Sequence, residues 1–518
     1  MTGLNDIEKT AKTEIPKIEV QEAIEGEDVT FNPRAKGKGV LERYINFPAA
    51  INFGFILQAS WETVALTFQF SLLNGGPAAM LYGSLFAGIG SNIVAASLAE
   101  MASIDPSVGA QYRWTAKFAP HWNKFWGLMQ GWITVFAWMF GCILNPAGIA
   151  QIVVGLSIFN SESYVPQRWH TTLLIWGFTV VPFLGSLYFR KMVDVLQTLG
   201  SICHIVFFVV CIALLAVLGE RSTPGFVFNT LTHDVSGWTN PGVAWGIGLL
   251  TVTLPLVGFD SVIHMSDEVK EVRTRLPRSM ISACAVNSVM QFIFILCLLF
   301  TIGDINKVAN TPTALPIIEV LYQATRSKPA TNFIVSMLGV VYFIAFFNVL
   351  ASASRLVWAF SRDNGLPFSK LFADVHPGLK MPLNALVLVG TTFSLLALIN
   401  IGSSTAFNTF FSLPALLMYI SYFFPILFFF LKRFSDNPPQ FGPFTLGRWG
   451  AFFNLYALCY ILFIITWMPF PTIRPVTALN MNYAGPLLGA VILGALLDWI
   501  FSGRKRFQIP VLRHTPEF

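Results

Sequence analysis

Between residues 50 and 501 the chain is a succession of apolar runs almost free of charge, separated by short polar breaks. A hydrocarbon core about 30 Å thick takes about 20 helical residues to cross. Twelve runs have that order of length: 50–72, 78–103, 125–149, 171–189, 193–218, 242–265, 280–302, 331–360, 383–401, 406–431, 450–469 and 483–501. Turn-forming clusters such as "NGGP", "TNPG", "GDIN" and "DNPPQFGP" punctuate them. Charged residues make up 12% of the chain, against about 25% in a soluble domain. Lipid offers no partner to a backbone N–H or C=O, so each run is read as a helix. The expected class is an all-α integral membrane protein of about 12 transmembrane helices, with both ends on one side.

The net charge of +6 would suit a nucleic-acid partner, but the placement of the charges argues otherwise. Of the 33 lysines and arginines, 27 fall on the side of the termini. The other side holds Arg168, Arg221, Lys307, Arg326, Lys328 and Arg474. That bias reports orientation and puts both termini in the cytoplasm. Residues 1–43 are polar, with nine acids and seven bases and no apolar signal-peptide core. Segment 1–45 is therefore read as a disordered cytoplasmic tail, and 503–518 as a second cytoplasmic tail. The six cysteines all sit in apolar runs without a CxxC pair and read as small buried hydrophobes, not as disulfides or metal ligands.

Two spans are irregular. Span 1 carries "ASWET" at mid-depth, where an aspartate costs about 2.5–3.5 kcal/mol on insertion scales and Glu62 faces a similar penalty. Span 6 carries "TLPLVGFDSVIHMSDEV", in which Pro255 removes a helical hydrogen bond and Gly258 weakens the turn before Asp260. Spans 1 and 6 hold corresponding positions if spans 1–5 and 6–10 are repeats. Interrupted spans so placed point to a transporter site near the bilayer midplane. The charge bias starts span 1 inside and span 6 outside, as inverted repeats require.

"LLNGGPAAMLYG", "SLAEMASIDPSVGAQYRWTAKFAP", "GFDSVIHMSDEV…LPRSM", "GDINKVANTPTALPIIEVLYQAT" and "ASASRLVWAFSRDNGLPF" resemble the fungal amino acid/choline transporter family. That family belongs to the amino acid–polyamine–organocation superfamily, and the likeness runs from about residue 45 to 500. It implies a 5+5 inverted-repeat fold with broken helices 1 and 6 and two appended helices. The transporter domain would then cover 46–502, with repeat one at about 50–218, repeat two at about 242–431 and the appended helices at about 450–501. The resemblance also implies uptake driven by a proton gradient. It leaves the cargo open, with "GAQYRWTA" and "TPTALPIIE" closer to choline-type members than to γ-aminobutyrate members.

In the resembled fold the broken turns of spans 1 and 6 cradle the cargo. Mapped here, the substrate-binding candidates are Ala59, Ser60, Trp61, Glu62, Gly258, Phe259, Asp260 and Ser261. Glu62 reads as a countercharge to an amine or a proton carrier, or as a neutral acid hydrogen-bonded to a neighbouring span. Trp61 reads as a π face for a quaternary ammonium or as core packing. Asp260 reads as a functional carboxylate or as the N-cap of the second half of span 6. Asp260, His264 and Glu268 stand at i, i+4, i+8, a stripe that could relay a proton. Glu268 reads equally as a partner of Arg273, Arg275 or Arg278. Glu100 and Arg355 could form a cytoplasmic gate of charge pairs or an interfacial pair. His204 and Asn145 read as structural.

The expectation is a secondary active transporter that imports choline or a related amine with a proton, by alternating access. The plasma membrane is the expected location, with an endomembrane as the other. An amino acid or γ-aminobutyrate permease is the alternative, and a non-transporting nutrient receptor of the same fold is the alternative from another class. Expected partners are a small-molecule substrate, a co-transported proton and the lipid bilayer, with no nucleic acid, cofactor or metal. No catalytic constellation is present: "GKGV" lacks the remainder of a phosphate loop, and no H-E-x-x-H occurs.

Overall fold

A computed structural model of the chain describes residues 45–188 and 193–509. The tail expected over 1–45 lies outside the described residues except for Ile45, as do 510–518 of the second tail. Among the described residues the structure is helical, with two isolated bridges and no strand.

Among the described residues eleven helices are long and apolar enough to cross a membrane. They are span 2 (Gly76–Ile104), span 3 (Asn123–Asn160), span 4 (Arg168–Tyr188), span 5 (Val195–Leu218), span 6 (Pro241–Glu268) and span 7 (Val272–Phe300). Span 8 (Lys328–Arg362), span 9 (Leu383–Gly402), span 10 (Thr409–Arg433), span 11 (Gly447–Trp467) and span 12 (Ala484–Arg506) complete them. The expected first span is present but divided into Phe47–Gln58, Ser60–Thr67 and Gln69–Leu73, none of them long enough alone. Span 3 runs past its expected end at 149 to Asn160 and bends at Cys142 and Ile143. Pro146 has no N–H to offer the carbonyl of Cys142, so the ladder is interrupted there. The basic connection after span 2 contains the helix Ala110–Phe118.

Both described ends lie on one face of the bundle. Ile45 bridges to Val269 at the end of span 6, and Phe507 packs on Phe360 at the end of span 8. Arg506 holds that segment down by donating to the carbonyls of Asn364 and Gly365.

The breaks survive in an apolar interior because span 7 supplies the hydrogen bonds they forfeit. Ala59 adopts a left-handed conformation (φ 37°, ψ 55°), a strained state for a residue with a Cβ. Phe55 thereby loses the N–H that would have reached its carbonyl. Asn287 of span 7 donates Nδ2 to Phe55 O and to Gln58 Oε1, both at 3.1 Å. Its Oδ1 accepts from Ser60 N at 3.4 Å, and its backbone carbonyl accepts from Ser60 Oγ at 3.0 Å. One turn on, Gln291 donates to Val252 O at 2.9 Å in span 6. Asn287 and Gln291 thus stand at i, i+4 on one face and clip both broken spans, the compensation that irregular backbone needs at membrane depth. The halves directed away from the terminal face are also joined. Thr251 Oγ1 donates to Thr67 O at 2.9 Å, and Ser71 Oγ to Gly248 O at 2.6 Å.

Candidate functional site

The break in span 6 follows from its sequence. Pro255 ends the helical ladder, and a short 3-10 turn (Leu254–Leu256) leads to Gly258 at φ 83°. A Cβ at Gly258 would meet only the flexible end of Leu57 of span 1, so it is the positive φ that favours glycine here. Beyond it, Phe259–Glu268 forms a 3-10 helix rather than the α-helix that the i, i+4, i+8 stripe assumed.

A cavity of about 90 Å³ lies between the two breaks. One water needs about 10–15 Å³ on the same measure, so this space suits a small organic molecule. Leu57, Gln58 and Ala59 of span 1 and Leu254, Val257 and Gly258 of span 6 bring the broken turns to it. Trp138, Tyr342 and Phe411 supply aromatic faces from spans 3, 8 and 10. The polar lining is Gln58, Thr63, Thr67, Asn145 and Tyr342, and no lining side chain carries a charge. Thr63 Oγ1 and Tyr342 Oη share a hydrogen bond of 2.8 Å, while Asn145 Nδ2 donates to Tyr342 O at 3.3 Å.

Of the eight substrate-binding candidates, Ala59 and Gly258 line the cavity. Ser60 is turned to Asn287. Trp61 is buried among Phe294, Phe208 and His204, at ring distances of 5.4, 6.0 and 6.3 Å, and is not the exposed π face considered for it. Glu62 is fully buried behind the cavity wall, with Oε1 2.6 Å from His204 Nδ1 of span 5. This corrects the reading of Glu62 as a direct countercharge to cargo: the first turn after the break rotates it towards span 5. Phe259 packs against Tyr422 at 5.1 Å, and Ser261 accepts from Ser352 through its carbonyl.

Asp260 lies just past the break, on the terminal side of the cavity, fully buried. Tyr422 Oη donates to its Oδ1 at 2.6 Å, and Gln111 Nε2 to its Oδ2 at 2.5 Å. It is not the N-cap: Gly258 holds that position, and Asp260 sits in the first turn, where its charge favours the helix N-terminus. His264 donates Nδ1–H to Val108 O at 2.8 Å, sets Nε2 3.4 Å from Asp260 Oδ2 and meets Trp138 edge-on at 5.1 Å.

Three charge pairs stand on the terminal side of the cavity. Glu268 pairs with Arg355 of span 8 at 3.0 Å, both buried, and not with the arginines that follow it. Glu100 pairs with Arg433 of span 10 and accepts from Thr445 Oγ1 at 3.0 Å and Leu446 N at 2.9 Å. Glu100 and Arg355 therefore belong to two separate pairs. Arg362 and Asp267 add a more exposed pair at 3.4 Å.

Sequence reading missed Trp138, Thr63, Tyr342, Tyr422 and Gln111 as site residues and placed Asn145 outside the site. A signal did exist for Tyr342, the one tyrosine in the long apolar span 8. Among the described residues no group of histidines, cysteines and acids is arranged to hold a metal.

A helical bundle with a cargo-sized cavity between two broken spans defines a multi-pass membrane transporter. The model of the amino acid permease family matches residues 51–494, and the chain belongs to that family. A Macrophomina phaseolina protein named as an amino acid/polyamine transporter is 30% identical, covering 84% of this chain and 96% of its own length. The choline transporter of Saccharomyces cerevisiae is 28% identical over 92% of this chain and 84% of its own length. Amino-acid permease 2 of Neurospora crassa is 28% identical over 92% and 88%. The family places the protein among transporters, not enzymes.

Proposed function

We propose that the protein imports a small nitrogenous solute, choline or a related amine, across the plasma membrane with a proton, by alternating access. The observation that carries this reading is the charge-free cavity between the breaks, walled by Trp138, Tyr342 and Phe411. A quaternary ammonium offers no N–H to donate, so it is held by aromatic faces, worth up to about 2 kcal/mol when desolvated. The first halves of spans 1 and 6 end at Gln58 and Leu256, and helix C-termini carry partial negative charge that favours a cation. The choline transporter among the relatives supports the same cargo.

An amino acid or γ-aminobutyrate cargo is the second reading. It is favoured by the second half of span 1, which starts at Ser60 beside the cavity and presents a helix N-terminus to a carboxylate. The permease names among the relatives fit it.

The terminal face is taken as cytoplasmic on the charge bias, so that the Glu268–Arg355 and Glu100–Arg433 pairs form the inner gate. Repeats at about 50–218 and 242–431, with the helices at about 450–501 appended, are the units that would rock about the site. Uptake of labelled choline, γ-aminobutyrate and a panel of amino acids into transport-deficient cells tests the reading. Saturable choline uptake, raised by an inward proton gradient, is expected. Uptake of amino acids alone would replace choline with the second reading, and binding without flux would mean a receptor.

A further inference from the structure

We infer that the buried Glu62–His204 pair is the site that takes up and releases the coupled proton. The inference rests on the proton-coupled reading above and names the residues that would carry it.

Both side chains are fully buried and 2.6 Å apart. Their remaining polar atoms, Glu62 Oε2 and His204 Nε2, have no hydrogen-bond partner. Among the described residues no lysine or arginine pairs with either. The other buried acids on the path differ. Asp260 accepts from Tyr422 on one oxygen and Gln111 on the other, and Glu268 and Glu100 each face an arginine. His264 Nε2 is likewise without a hydrogen bond, but both oxygens of its neighbour Asp260 are occupied, whereas in the Glu62–His204 pair each partner keeps an open polar atom.

The proton count is simple. With Glu62 ionised, His204 Nδ1–H donates to Oε1 and Nε2 keeps its lone pair, so the pair carries a net charge of minus one. One proton, added at Nε2 or on the carboxylate, brings the pair to neutrality, and no other bond is made or broken. A net charge without a partner is costly in a dry interior, so the neutral, loaded pair is the resting state. The surroundings are dry: Phe55 meets the imidazole edge-on at 4.5 Å, and Trp61, Phe208 and Phe294 close the shell. Exchange with water therefore requires that shell to open. The titratable groups that feel the charge of Glu62 are Cys211 of span 5 and Tyr342 of span 8, with Cys297 of span 7 beside Cys211.

The link to cargo is positional. Glu62 stands in the first turn after the break, and the next residue, Thr63, lines the cavity and bonds to Tyr342. Loss of the proton alters the bond that ties this turn to span 5. It therefore acts on the broken segment that holds the cargo, one residue away.

The test uses His204→Gln, which keeps a donor facing Glu62 but cannot titrate, and Glu62→Gln, which keeps the shape and removes the charge. The first measurement is uptake by cells at matched surface expression, with labelled choline and the amino acid panel as probes. Both variants should lose the pH dependence of accumulation, while exchange of internal for external label, which moves no net proton, persists in His204→Gln. The second is infrared difference spectroscopy of purified protein in lipid between pH 5 and pH 8. A carboxyl or imidazole band that titrates in the wild type should vanish in both variants. Wild-type uptake insensitive to the proton gradient, with the band present, would remove the coupled reading and leave a titrating pair. A coupled wild type whose His204→Gln variant keeps the same pH profile and the same band would overturn the assignment of this pair.

Discussion

Tyr422 donates its hydroxyl proton to Asp260 at 2.6 Å while accepting the N–H of Gly258 at 3.2 Å. One phenol of span 10 thus holds both the N-cap and the first turn of the second half of span 6. It ties the floor of the cavity to a span outside the broken pair.

Tyr422→Phe keeps the ring and its contact with Phe259 but strands the Gly258 N–H and one carboxylate lone pair. A buried polar group left unpaired costs about 1–3 kcal/mol. The variant should lower the melting temperature of the purified protein and slow uptake at matched expression. Equal melting and equal uptake would mean that the bond adds nothing to the break.

Trp138 lines the cavity and Trp61 does not. Trp138→Leu should therefore raise the apparent KM for choline, with Trp138→Phe recovering part of it. A loss of about 1–2 kcal/mol for a desolvated cation corresponds to about 5- to 30-fold. Trp61→Leu should lower stability through lost packing, with the choline KM near wild type. The reverse pattern in uptake kinetics would move the π face to Trp61 and contradict the placement of the cavity.

Arg355 and Glu268 form a buried pair on the terminal side of the cavity, the inner gate of the proposal above. Removing one member of such a pair costs about 3–5 kcal/mol. Arg355→Ala should therefore favour states open to that face. A cysteine introduced at Thr63 should react faster with a thiol reagent applied to inside-out vesicles in the Arg355→Ala background. Labelling at the wild-type rate would leave the pair without a gating role.

Orientation can be read from exposed loop positions. Ser163 and Asn310 lie on the face opposite the termini and Ser435 on the terminal face, all exposed. Ser369, between spans 8 and 9, is a poor probe because it is only 5% exposed. In a cysteine-less background, cysteines at 163 and 310 should react with an impermeant thiol reagent on intact cells, and one at 435 should not. The opposite pattern would invert the protein in its membrane.

The membrane class, the helical architecture and the break in span 6 were legible in the residues themselves. Hydropathy over some 20 residues is a local property, and lipid admits a single helix as the answer to each run. Pro255 and Gly258 likewise mark their break by their own backbone chemistry. The break at Ala59 carries no such mark, since its left-handed turn depends on Asn287 reaching across from span 7.

What a side chain near a break faces was decided by packing. Each helical residue turns the direction of its side chain by about 100°, so neighbours in sequence meet different surroundings. Thr63 meets the cavity, while Glu62 meets His204 and Trp61 an aromatic core. Glu100 and Arg355 suggested one gate, but the tilt and rotation of spans 8 and 10 give them different partners, Arg433 and Glu268. Those rotations are set by contacts between spans far apart in the chain, which is why the cavity wall emerged only from the tertiary structure.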